Sequence, residues 1–224
     1  MITSKRIINL LSIILLTTLL GSACQAQPAA DPSKSPSGKV IYEDDFSDEK
    51  SGWQVIDSEQ GFLGYKDGAY NILLKVPAFT SWMTAQKIFN SVNIEADVTK
   101  TDGPDESAYG IICRMEDDMN FYLFVISSTG HFGIGKVVEG KGPIMLGSDA
   151  PDKLLASDAI KKGNETNHLL AECSDSTLTF TVNGKQLLSV QDHDLEAGDI
   201  GFLVKTFDKP GIDVKFDNLV VKMP

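Results

Sequence analysis

Side chains suited to nucleophilic or metal chemistry are scarce in this 224-residue sequence, which has three histidines and three cysteines. His131, His168 and His193 lie far apart, and none stands in a G-x-S-x-G elbow or a comparable nucleophile context. No Cys/His cluster has zinc-site spacing. The glycine-rich stretch GHFGIGK at 130–136 lies within a strand pattern rather than ahead of a helix, which excludes a phosphate-cradling loop. There is no internal repeat and no long amphipathic helix. No apolar run reaches the ~20 residues that a membrane-spanning helix needs. The nearest, Ile7 to Leu20, is about 14 residues long and is broken by Asn9, Ser12, Thr17 and Thr18.

That run belongs to an address. Lys5 and Arg6 precede it, and small residues Gly21, Ser22 and Ala23 follow it, which is the layout of a secretory signal peptide. The segment Leu20-Gly21-Ser22-Ala23-Cys24 resembles a bacterial lipobox, whose cysteine takes lipid and becomes the mature N-terminus. The family's leucine stands three residues before the cysteine; here Gly21 holds that place and Leu20 lies one further back. The alternative is ordinary cleavage after Ala26, with Cys24 discarded. Gln25 to Gly38, QAQPAADPSKSPSG, has too little apolar surface to offset the entropy of ordering and reads as a tether. The expected organisation is a signal peptide over 1–23, lipidated Cys24 and linker over 24–38, and one domain over 39–224. The protein is then extracytoplasmic, anchored to the membrane through lipid alone, or secreted if Cys24 is lost.

Lys5 and Arg6 are the basic residues of the signal, so the rest of the chain sets 18 basic against 31 acidic residues, a net charge of −13. That balance argues against nucleic acid and against an anionic membrane surface as partners. With Cys24 lipidated, Cys113 and Cys173 remain, each in an apolar strand-like run. In an oxidising compartment they are expected to form one disulfide between two strands, the alternative being two buried free thiols.

Hydrophobicity alternates with period two almost throughout. Candidate strands are 40–46, 53–57, 68–75, 79–87, 92–99, 108–116, 120–127, 131–138, 167–174, 176–183, 186–191, 199–206 and 212–221, with a single helical turn near Ser157–Lys162. Asp67-Gly68, Thr129-Gly130 and Asn183-Gly184 mark turns. Asn-Gly is the strongest, because a type I′ hairpin needs positive φ at both central residues. Many short strands at regular spacing predict an all-β, two-sheet antiparallel sandwich or jelly roll.

A tight hairpin through Asp117-Asp118-Met119 sets Arg114 opposite Tyr122 and Cys113 opposite Leu123. Cross-strand partners share a face. Cys113, Met115, Phe121, Leu123, Phe132 and Ile134 then form the core side. Arg114, Tyr122, Phe124 and His131 stand on the other side, with Gly133 opposite Ile126 and Gly135 opposite Phe124. A slip of one residue would exchange the two sides. Aromatic rings beside a guanidinium suit a sugar, so Arg114, Tyr122, Phe124, His131 and Trp82 are the candidate ligand residues, with Trp53 and Tyr65 as further aromatics.

Acidic pairs offer less. Glu95-Ala-Asp97 faintly resembles the Glu-x-Asp-x-x-Glu signature of family 16 glycoside hydrolases, but Lys100 stands where the third acid belongs. The paired carboxylates that glycoside hydrolysis requires are incomplete, and no catalytic residue is assigned. Pairing of the first and last strands would bring Asp45 and Asp217 together as ligands of a structural calcium; no other cofactor is expected.

Taken together, DDFSD…SGW at 44–53, Y-G-x-x-C-R…N-F-Y-x-F at 109–124, C…L-x-F-x-V-N-G at 173–184, G-D-I-G-F at 198–202 and F-D-N-L-V-V at 216–221 resemble a concanavalin A-like, laminin G-like sandwich. They are also similar to the 3-keto-disaccharide hydrolase-type domain. The resemblance implies a non-catalytic module that recognises glycan or cell-wall material. The alternatives are a glycoside-processing enzyme of the keto-disaccharide type and a structural or protein-interaction domain without a small ligand. Fold alone does not deliver activity.

Overall fold

The computed structural model describes residues 38–224; the signal, Cys24 and nearly all of the linker lie outside them. Sixteen strands follow one another: β1 Val40–Asp44, β2 Ile56–Asp57, β3 Gly61–Lys66, β4 Ala69–Leu74, β5 Thr80–Thr84, β6 Val92–Asp102, β7 Ala108–Asp117, β8 Asn120–Ser127, β9 His131–Val138, β10 Lys141–Leu146, β11 Leu155–Ala156, β12 Asn167–Ser174, β13 Thr177–Val182, β14 Lys185–Gln191, β15 Asp199–Lys205 and β16 Ile212–Lys222. They form two antiparallel sheets. The nine-stranded sheet runs β14-β13-β12-β6-β16-β4-β3-β2, with β1 added beside β16. The seven-stranded sheet runs β10-β9-β8-β7-β15-β5, with β11 added beside β9. This is the all-β sandwich that the alternating pattern predicts.

No helix occurs among the described residues, and Ser157–Lys162 is turn and irregular chain rather than a helical turn. The short strands β3, β10 and β11 were not expected; two residues of pairing, as in β11, leave no periodic signal. Asn183 and Gly184 both have positive φ, 50° and 79°, and join Val182 to Lys185 as a two-residue turn. Asp67 and Gly68 do the same between Lys66 and Ala69.

Alternate residues of each sheet meet in one core. Val92, Ile94, Ala96 and Val98 of β6 and Leu169, Ala171 and Cys173 of β12 are buried there. So are Tyr109, Ile111, Tyr122, Phe124 and Ile134 of the facing sheet. Cys113 on β7 and Cys173 on β12 form a disulfide, with Cα atoms 6.8 Å apart, so the cross-link joins the two sheets through the core. At the other side, Phe202 stacks on Phe216 at 4.3 Å and on Trp53 at 5.2 Å. Phe46, the centre of the DDFSD motif, packs edge-on to Trp53. Asp44 accepts the Phe46 amide at 2.8 Å and fixes the turn that inserts the ring. Trp53 and Tyr65 are therefore core residues rather than ligand aromatics.

Candidate functional site

The register of β8 decides what the outer face of the seven-stranded sheet presents. Cys113 pairs with Tyr122, Ile112 with Leu123 and Ile111 with Phe124. The pairing then breaks between Cys113 and Asp117 in a β-bulge, where Arg114 takes φ 51°. The turn closes on Asp118-Met119, pairing Asp117 with Asn120, and the bulge then takes up two extra residues on β7, so every β8 partner beyond it lies one place from where a three-residue hairpin through Asp117-Asp118-Met119 puts it. One place exchanges the two faces. Tyr122 and Phe124 point into the core, Phe124 edge-on to Phe180, while Phe121, Leu123 and Val125 point outward. The next hairpin shifts likewise: Phe132 faces Ile126, Gly133 faces Val125 and Gly135 faces Leu123.

On the outer face Phe121, Leu123 and Val125 pack with Ile112, Met115 and Leu203 in a second apolar cluster, separate from the main core. Trp82, Val137, Met145 and Leu154 pack against it. The two glycines of β9 make this layer fit. A Cβ at Gly133 would lie 2.8 Å from Leu154 Cδ2 and 3.0 Å from Met145 Sδ. Met145 and Leu154 therefore rest directly on the backbone of β9. Between this wall and Trp82 on β5 runs a groove of about 650 Å³. Its floor is apolar. Its polar groups, among them Thr80, Asp118, Asp152 and Lys205, come from its surround, with Phe207 beyond. Trp82 and Phe121 have ring centroids 5.8 Å apart. An apolar floor, the half-buried Trp82 ring and a few polar groups are the properties of a ligand groove.

Of the expected ligand residues, only Trp82 lines this groove. Tyr122 and Phe124 are fully buried on the opposite face because of the bulge. His131 is exposed at the start of β9, where Nδ1 lies 2.9 Å from Thr129 Oγ1. Arg114 is buried at the end of the sandwich, donating from Nη1 to the Leu195 carbonyl at 3.0 Å. The five residues do not form one site. Met145, Leu154 and Phe207, which sequence reasoning missed, come from short or irregular segments without period. The one available signal was the Gly-x-Gly of β9, which marks a sheet face open to an overlying group.

Tyr122 and Arg114 instead order the loop at 192–198. Tyr122 donates to Asp192 at 2.6 Å and accepts the Leu195 amide at 3.1 Å. Lys136 pairs with both Asp192 and Asp194. Burial alone would push the Asp192 carboxyl up, but the bonds from Lys136 and Tyr122 outweigh it and hold it below its ordinary value. The Tyr122 hydroxyl is pushed well above the ordinary phenol range, by burial first and then by its bond to Asp192.

The Glu95-x-Asp97 pair stands on β6, on the outer face of the other sheet, away from the groove. Glu95 bonds Lys222 at 2.7 Å, and His168 bridges the pair, 2.8 Å from Asp97 and 3.6 Å from Glu95. Lys100, at the place of the third acid, pairs with Asp105. This is an ion-pair network across β6, β12 and β16.

The first and last strands do pair, β1 with β16. It is Asp44, however, that meets Leu219, and Asp45 and Asp217 do not make a metal site. Asp45 caps Ser47, and Asp217 pairs with Lys215. A bulge in β16 after Asp217 breaks the regular register there. Among the described residues no group of three His, Cys, Asp or Glu is placed to hold a metal ion.

Solved structures superpose on this arrangement. The carbohydrate-binding module CBM66 from Bacillus subtilis aligns with TM-score 0.57 and 16% identity, over 76% of this chain and 95% of its own. A protein of unknown function with galectin-like fold from Bacillus subtilis aligns with TM-score 0.59 and 11% identity, over 83% and 96%. The fold is that of the galectin-like and concanavalin A-like sandwich. A Bacillus licheniformis β-glucanase aligns to the sandwich with TM-score 0.59 and 10% identity, over 84% and 99%. No protein-family model matches the sequence. No curated protein sequence matches it either. At these identities the sandwich likeness concerns fold alone.

Proposed function

We propose that this chain is a non-catalytic glycan-binding sandwich, taking its ligand in the groove on the outer face of the seven-stranded sheet. The observation that carries this is the half-buried Trp82 ring packed beside an apolar floor that includes Phe121, in a groove of about 650 Å³. Aromatic rings stack on the apolar faces of pyranoses, while the polar groups beside the floor can bond hydroxyls. Alignment with a carbohydrate-binding module adds support. Asp118 and Asp152 both line the groove, and they favour the second reading, a glycoside-processing enzyme.

Export with lipid on Cys24 completes the proposal. The net charge of −13 beyond Lys5 and Arg6 does not fit nucleic acid as a partner.

The test is thermal unfolding of the protein against a panel of neutral saccharides. A ligand that binds only the folded state stabilises it by ~2.7 kcal/mol at a hundred times Kd. A shift with one saccharide class, lost in Trp82→Ala, is the expected result. Release of reducing sugar from that saccharide, abolished in Asp118→Asn or Asp152→Asn, would instead establish the enzyme. No shift with any saccharide would point to a protein-interaction role. Metabolic labelling with a radioactive fatty acid tests the anchor, and Cys24→Ser should abolish the label.

A further inference from the structure

Arg114 is the only arginine among the described residues, and it is 2% exposed. Buried arginines are nearly always paired with a carboxylate. Arg114 is not: among the described residues, no carboxylate oxygen comes within ion-pair distance of it. Nη1 is anchored on the Leu195 carbonyl at 3.0 Å. Nε is buried without a hydrogen-bond partner.

The backbone around it is unusual as well. Its φ of 51° is in the left-handed region, which a long side chain seldom adopts. Residues held in such conformations concentrate at binding and catalytic sites, and bulges serve there to re-aim a side chain. Arg114 borders a cavity of about 520 Å³ at the end of the sandwich, also lined by Asn90, Ser91, Ser176 and His193. The loop at 192–198 that closes one side is held by Tyr122 and Lys136. Arg114 thus borders a preorganised polar cavity without a direct ion-pair partner, Asp175 and Glu196 acting on it only from a distance.

We propose that this cavity is a second ligand site, separate from the groove, that takes a singly charged carboxylate carried by an acidic sugar or a small organic acid. The planar guanidinium fork matches a carboxylate. The Asn90 amide and the Ser91 hydroxyl can donate to further oxygens, while the Ser176 hydroxyl already donates to Gln191 Oε1 at 2.8 Å. Asp175 and Glu196 also line the cavity, exposed and beyond ion-pair distance of Arg114. They weaken every anion, and because the pull of Arg114 scales with ligand charge as their repulsion does, it is the planar guanidinium rather than charge that favours a carboxylate. The inference does not depend on what the groove binds.

The experiment is an amide NMR titration of the intact protein with sodium glucuronate, sodium acetate, inorganic phosphate and glucose. Glucuronate is expected to give saturable shifts at Ser91, Ser176 and Leu195, and glucose none. If acetate gives the same shifts with equal affinity, the carboxylate alone is recognised; if acetate is weaker, the acidic sugar is the better ligand. The double variant Asp175→Asn/Glu196→Gln removes exposed charge only. At low salt it should bind tighter, by about twofold for each exposed charge removed. Arg114→Lys should lose binding; if it does not fold, the double variant still carries the test. No saturable shift by either carboxylate in either protein, equal shifts by glucose, or unchanged affinity in the double variant would overturn the proposal. Trp82→Ala should leave these shifts intact, which separates this site from the groove.

Discussion

The Tyr122 hydroxyl donates to Asp192 at 2.6 Å and accepts the Leu195 amide at 3.1 Å, tying core strand β8 to the loop at 192–198. One buried oxygen thus satisfies two groups. Tyr122→Phe leaves Asp192 and the Leu195 N–H each short of a partner. The expected loss is about 1–3 kcal/mol in urea unfolding, with faster hydrogen exchange at Leu195.

The disulfide between Cys113 and Cys173 spans 60 residues of sequence. In the chain-entropy model a loop of that length is worth about 4 kcal/mol. Cys113→Ala/Cys173→Ala should therefore lower stability by about 2–5 kcal/mol in denaturant unfolding. An unchanged midpoint would show that the core holds the two sheets together without the cross-link.

His168 gives stability a pH dependence. Hydrogen bonding to Glu95, offset in part by burial and reinforced by Asp97, raises it above its ordinary 6.5. A raised folded value means the charged form is favoured in the fold. Its contribution is complete below about pH 6.5 and fades as pH rises through the raised value. Glu172 is raised from 4.5, by burial first and then by Glu95, so it too costs stability as pH climbs past that range. Unfolding midpoints measured from about pH 4 to about pH 9 should fall in both windows. His168→Gln should flatten the upper one alone.

Two glycines of the seven-stranded sheet should respond differently to alanine. A Cβ at Gly110 would lie 1.9 Å from the Phe124 carbonyl oxygen, which is backbone and cannot move aside. Gly110→Ala should cost about 1–3 kcal/mol or more in thermal unfolding. At Gly133 the obstruction is the far ends of Leu154 and Met145. Gly133→Ala should cost less stability but displace the groove wall, and so change ligand binding while the fold persists.

That contrast bears on what could be read from sequence. Alternation and turn residues made the sandwich legible: Asn183-Gly184 and Asp67-Gly68 turn where expected, and the two cysteines meet. The ligand face was not legible, for a local reason. The bulge at Arg114 takes up two extra residues of β7 and the turn closes on Asp118-Met119 rather than on three residues, and nothing in CRMEDDMN distinguishes that hairpin from a tight one. With period two, the net shift of one place moved Tyr122 and Phe124 inside and Phe121 and Leu123 outside. The groove wall was equally hidden, since Met145 and Leu154 act through their position over Gly133 and Gly135.

The pairing of β1 with β16 sets Val40 beside Lys222, and Gly38 lies against the Met223 carbonyl. The domain is therefore entered and left at the same place, in the middle of the nine-stranded sheet, while the groove lies on the outside of the other sheet. Adjacent ends of this kind allow circular permutation. A fusion at either end would attach to the same side and leave the groove unobstructed. The sandwich has one side by which it can be held and another that stays open.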